Sequence, residues 1–134
     1  ADVHLKNFGP ERGGRVSAVR DALDFGLRPT FHTDCPVLRP NLFESVWCAV
    51  KRVTKGGVQL DESQKISVYE GLECITKNGA YQYGEEARKG TLEVGKLADF
   101  CVVESNPLKV DIDDLRDLRV LETIKEGETI WKAE

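Results

Sequence analysis

The stretch Arg28-Pro-Thr-Phe-His-Thr-Asp-Cys-Pro-Val37 constrains this chain most. Pro29 to Thr33 has the apolar and β-branched content of a buried strand. An amphipathic segment closed by Gly26 precedes it, and an acid, Asp34, stands at its end. Helix, glycine, strand and acid in that order is the pattern of α/β proteins whose reacting groups sit at the C-terminal ends of strands. A turn is the simpler reading of Asp34-Cys-Pro36, because Asp favours turns and proline cannot continue a ladder.

With 134 residues the chain has room for one domain but not for a complete (β/α)8 barrel, which takes about 200 or more. Its 31% charged and 40% hydrophobic residues are the balance of an ordinary water-soluble protein. The net charge of −4 and the lack of a Lys/Arg stripe interleaved with aromatics argue against a nucleic-acid partner. No apolar run reaches the roughly 18 residues of a membrane span. No signal peptide or lipidation pattern is visible, so a cytoplasmic location is expected. Cys35, Cys48, Cys74 and Cys101 are widely spaced and read as reduced thiols, with no close pair to suggest structural zinc. Methionine is absent, even at position 1, as expected of a piece of a longer protein.

Val3 to Phe8 reads as the end of a loop or a short strand, and Gly9-Pro-Glu-Arg-Gly-Gly14 as punctuation without a phosphate-loop lysine. Arg15 to Phe25 has a helical period, with Val16, Val19 and Leu23 on one face and Arg20, Asp21 and Asp24 towards solvent. A second helix is expected from Asn41, a good N-cap, to about Val53. A third starts at Ser67, where Glu70 completes capping-box spacing, and runs to Asn78-Gly79. Leu97 to Val103 then reads as a strand and Asp111 to Leu115 as a short helical turn. Leu118 to Trp131 reads as a hairpin turning at Glu126-Gly127.

Three motifs occur in order. Gly90-Thr-Leu-Glu-Val-Gly-Lys-Leu-Ala-Asp-Phe-Cys-Val-Val103 resembles the C-terminal signature of the amidohydrolase superfamily. Thr76-Lys-Asn-Gly-Ala80 resembles the family's T-x-N-x-A helix, and Val120 to Trp131 its closing strands. Gly9-Pro-Glu-Arg12, His32-Thr-Asp-Cys-Pro-Val37 and Ala49-Val-Lys-Arg52 resemble the branch of N-substituted formamide deformylase-like hydrolases. Thr33 and Cys35 stand where that branch commonly has Ser and Ala, which leaves Asp34 in register.

The resemblance implies an α/β chain: residues 1–88 as the C-terminal part of a (β/α)8 metal-dependent hydrolase barrel, and residues 89–134 as part of an accessory β-sandwich. It implies hydrolysis of a C–N bond in a small amide-like or formamide-like substrate, with zinc or a similar divalent metal in the parent enzyme. Asp34 takes the place of the acid at the last barrel strand, metal ligand and proton acceptor at once. The family's H-x-H pair is missing, since His4 and His32 are the only histidines, so the chain by itself is expected to be inactive and to bind no metal. Strand alternation would put His32 on the same face as Asp34, either orienting it or hydrogen-bonded inside the barrel. Cys35 either lines the site or is a small structural residue. Arg12 and Glu11 either meet substrate or form a salt bridge, and Asp99 starts a strand and caps a turn. The competing reading is a stand-alone, non-catalytic interaction or regulatory module, whose uncovered surface would favour a homo-oligomer.

Overall fold

The computed structural model describes residues 1–134. The first helix, α1 (Asp2–Gly14), occupies the region expected to be loop or strand and then glycine punctuation. Gly9, at φ 75° and ψ 170°, kinks it, and Pro10 opens the second half, where a missing N–H costs no helical bond. A Cβ on Gly13 would lie 2.6 Å from the His4 carbonyl oxygen. Nine residues of straight helix span about 13 Å, so the two halves fold back on each other. No apolar period announces α1. It is fastened instead by Asp2, whose carboxylate accepts the Thr54 hydroxyl at 2.6 Å and the Gly56 N–H at 3.1 Å.

The second helix, α2 (Val19–Asp24), is shorter than the expected Arg15–Phe25. The missing turn is held in another conformation by Arg52, which takes the carbonyls of Val16 and Ser17 that a helix would need. Arg20 and Asp21 do not simply face water. Arg20 pairs with Asp24 at 2.9 Å and Glu70 at 2.6 Å, and the Asp21 carboxylate accepts from the buried Gln64 amide at 2.7 Å. Gly26, at φ 74°, closes the segment in the left-handed region, as the sequence requires.

Helix α3 (Leu42–Lys51) is capped by Asn41, whose side chain accepts from the N–H groups of Phe43 and Glu44. Helix α4 (Val68–Ile75) carries the complete Ser67/Glu70 capping box. The expected single third helix breaks at Thr76 (φ −127°, ψ −86°), and a separate helix, α5 (Lys77–Gln82), follows. The Thr76 hydroxyl donates back to the Leu72 carbonyl at 2.7 Å, the local bonding by which threonine competes with a continuing helix.

Strands β1 (Phe100–Val103), β2 (Val120–Lys125) and β3 (Glu128–Lys132) form one antiparallel sheet in that order. The β2–β3 connection is the expected two-residue turn, with Glu126 at φ 51° and Gly127 at φ 84°. Asp99 immediately precedes β1, and its carboxylate accepts the Glu126 N–H at 2.8 Å, so it caps that turn.

The core joins α2 and α3 to the segment between β1 and β2. Val19, Phe43, Val46, Ala49, Val50 and Ile66 pack with Leu115 and Leu118, the last two at and beside a 3-10 turn (Leu115–Asp117). Leu42, at the start of α3, is exposed. The core is small for the chain, with 17 of 134 residues buried, and large apolar side chains such as Phe25, Tyr83 and Val94 face outwards. No helix is long and apolar enough to cross a membrane. The fold is mixed α and β with a small antiparallel sheet.

The strand expected over Pro29–Thr33 is not formed. The segment belongs to no helix or strand and makes no backbone–backbone hydrogen bond. A strand exists only through its neighbours, and β1, β2 and β3 pair with one another elsewhere.

Candidate functional site

Asp34 is the first residue of the turn 34–37, closed by the Val37 N–H donating to its carbonyl at 2.8 Å. Its φ of 53° is left-handed, which Asp tolerates better than most residues. No hydrogen bond or ion pair engages its exposed carboxylate, so both oxygens are free to meet an outside group. His32 is beside it, but not by strand alternation: the Asp34 backbone N–H donates to His32 Nδ1 at 3.1 Å, leaving Nε2 free. Cys35 is exposed and follows directly.

Arg12 is not brought to Asp34 by any hydrogen bond or ion pair. It is exposed in the last turn of α1, and neither it nor Glu11 forms a salt bridge. Arg15 takes that role, meeting Asp21 and, at 2.9 Å, Asp61. Glu11, Arg15 and Asp61 border a shallow cleft of about 380 Å³ with Leu5, Pro10 and Val58, and Asp34 is not part of it. The Ser63 side chain and N–H, and after them Arg15, hold the Asp61 carboxyl below its ordinary pKa.

No group of three or more His, Cys, Asp or Glu side chains converges to hold a metal ion. A catalytic zinc needs about three protein ligands, so the donors of this chain alone do not fit one.

Four residues that sequence reasoning passed over prove important. The buried Arg52 donates Nη1 to Val16 O at 2.7 Å and Ser17 O at 3.0 Å, and Nη2 to Gly14 O at 2.8 Å. It thereby fixes the loop that follows Arg12, and burial pulls its guanidinium below the ordinary pKa. The Ala49-Val-Lys-Arg52 motif was the available signal for it. Asn78, Tyr81 and Gln82 of α5 hold the segment that leads to Asp34. Asn78 Nδ2 donates to Pro29 O at 2.9 Å, Gln82 Oε1 accepts the Thr30 hydroxyl at 2.9 Å, and the Arg28 guanidinium lies 4.0 Å above the Tyr81 ring. The T-x-N-x-A pattern was the available signal for Asn78.

Two of the sequence motifs also touch. A Cβ on Gly90 would come within 2.7 Å of the Ala80 Cβ, and Gly90 has φ +87°. The glycine that opens Gly90–Val103 is therefore pressed against the last residue of Thr76–Ala80, in a conformation glycine adopts without cost.

The sequence profile of the amidohydrolase family matches residues 2–131, which is nearly the whole of the chain. The chain belongs to the amidohydrolase family. This amidohydrolase chain is 33% identical over 124 residues to an N-substituted formamide deformylase of Arthrobacter pascens, covering 92% of the chain and 21% of the relative. It is 23% identical over 131 residues to a putative amidohydrolase, YtcJ, of Bacillus subtilis (strain 168), covering 96% of the chain and 25% of the relative. A shorter stretch of 39 residues is 49% identical to an imidazolonepropionase of Syntrophobacter fumaroxidans (strain DSM 10017 / MPOB), covering 29% of the chain and 9% of the relative. The chain thus spans 21% and 25% of the lengths of the first two relatives. No solved structure matches it.

Proposed function

We propose that this chain is the C-terminal portion of a hydrolase that cleaves C–N bonds of amide-like or formamide-like substrates, and that Asp34 is its contribution to the chemistry. The observation that carries the proposal is the state of Asp34: an exposed, unpartnered carboxylate in a left-handed turn, within a family match covering residues 2–131. Proteins keep such backbone conformations where surrounding structure holds them, often at functional sites. In the whole protein Asp34 would accept a proton from the attacking water and return it to the departing amine. The family is generally metal-dependent, and ligands for zinc or a similar ion would have to come from outside this chain. His32 is proposed to hold the Asp34 turn through its Nδ1 contact, and Arg12 and Cys35 remain candidates for substrate contact. Residues 1–88 are proposed as barrel and residues 89–134 as sandwich. The name of the Arthrobacter pascens relative supports the formamide-like substrate class.

The test is Asp34→Asn in the full-length protein, because Asn keeps the left-handed turn and removes only the base. Turnover of an N-substituted formamide should fall by about 100-fold or more. Activity within twofold of the parent would remove Asp34 from the mechanism.

A second reading is a non-catalytic interaction module, favoured by the outward-facing Phe25, Tyr83 and Val94. It requires the isolated chain to self-associate or capture further protein through those residues. A monomer by light scattering at high concentration would count against the self-associating form.

A further inference from the structure

We propose that Asn78 is a positioning residue for Asp34, acting through the extended segment that leads to it. The inference builds on the reading of Asp34 as the reacting acid, but its geometric part stands apart from it. Residues 28–33 make no backbone–backbone hydrogen bond, so no backbone pairing with the sheet or a helix sets their path. Pro29 has no N–H, which leaves its carbonyl as its only backbone hydrogen-bonding group. Asn78, 5% exposed, fills that carbonyl's need at 2.9 Å and also approaches Cys74 Sγ at 3.8 Å.

The neighbouring residues follow the same plan. Gln82 is four residues beyond Asn78, on the same helical face, and takes the Thr30 hydroxyl. Tyr81 receives the Arg28 guanidinium on its ring. Phe31 then packs against the core cluster, so three consecutive residues are held by α5 and the fourth by the core. Helix α5 is itself seated by the Gly90–Ala80 contact. Asp34 follows Phe31 after only two intervening residues, and a shift of the anchor reaches its carboxylate with little slack.

Asn78 is buried, so its own replacement can damage the fold, and the exposed Gln82 supplies an independent variant. In the 134-residue chain, Asn78→Asp places an acceptor against the Pro29 carbonyl, and Gln82→Ala removes the Thr30 anchor. Both should move the amide resonances of Phe31 to Asp34 and lower their heteronuclear NOE, while α3 and β2 keep their shifts. In the full-length protein kcat should fall about 10- to 100-fold with KM within about twofold, the pattern of a displaced reacting group rather than lost binding. Unmoved resonances at 31–34 in both variants would overturn the proposal, whatever the kinetics. So would a loss of order shared equally by α3 and β2, the mark of a merely structural residue. If the resonances move but Asp34→Asn leaves turnover intact, the positioning stands and the reading of Asp34 as base falls.

Discussion

Gly71→Ala tests the packing of α4 on α3 by the sign of its effect. Gly71 lies inside α4, where Ala is intrinsically favoured over Gly by about 1 kcal/mol. On propensity alone the substitution should stabilise. The structure predicts the opposite, because a Cβ on Gly71 would stand 2.6 Å from Val46 Cγ1. Val46 is fully buried on α3, and its branched side chain has one strongly preferred rotamer in a helix, so it cannot swing aside. Overpacking a core of this kind costs about 1–3 kcal/mol. With no route of escape the cost should lie near the top of that range, leaving a net loss of about 1–2 kcal/mol after the propensity gain. Urea denaturation followed by circular dichroism measures it. Val46→Ala removes the obstructing methyls and leaves a cavity of its own, which the added methyl at 71 partly fills. The double variant should therefore be more stable than the sum of the two single losses by about 1 kcal/mol or more. A stabilised Gly71→Ala variant, or strict additivity with Val46→Ala, would refute the close approach of the two helices.

Gly90→Ala should cost more, about 2–4 kcal/mol, since a left-handed residue with a Cβ loses about 1–2 and the collision with Ala80 adds to it; the midpoint of thermal unfolding reads this, and a neutral variant would deny that the two motifs touch. Acid titration of stability tests the capping box. Hydrogen bonds from the Ser67 N–H and then Arg20 hold Glu70 below its ordinary pKa. A carboxyl depressed in the folded state contributes stability above its unfolded pKa of about 4.3 and loses it as pH falls through the lower folded value. Glu70→Gln should therefore be less stable than the parent at neutral pH and converge with it in acid; a gap that stays constant with pH would contradict the ionised cap.

Locally encoded features were legible in the residues. Asn41 and Ser67 cap α3 and α4 where their side chains predict, and Glu126-Gly127 turns the hairpin, because each of these depends on bonds within a few residues. The family was legible for the same reason, through motifs that survive in linear order. The placement of Asp34 was only half legible. Its turn follows from Asp-Cys-Pro, whereas its proximity to His32 was expected from a strand and arises from a backbone N–H reaching the ring.

What the sequence determined by itself, then, is where α3 and α4 start and where the hairpin turns. Tertiary structure decided the rest. Helix α1 exists because Thr54 and Gly56 hold Asp2, and α2 is shortened because Arg52 claims the carbonyls before it. Pro29–Thr33 has the composition of a strand but no partner, so side chains of α5 set its course instead. A cap or tight turn needs only its own neighbours, while a strand, a fold-back and a buried arginine need groups tens of residues away, and no local pattern records which of those groups will arrive.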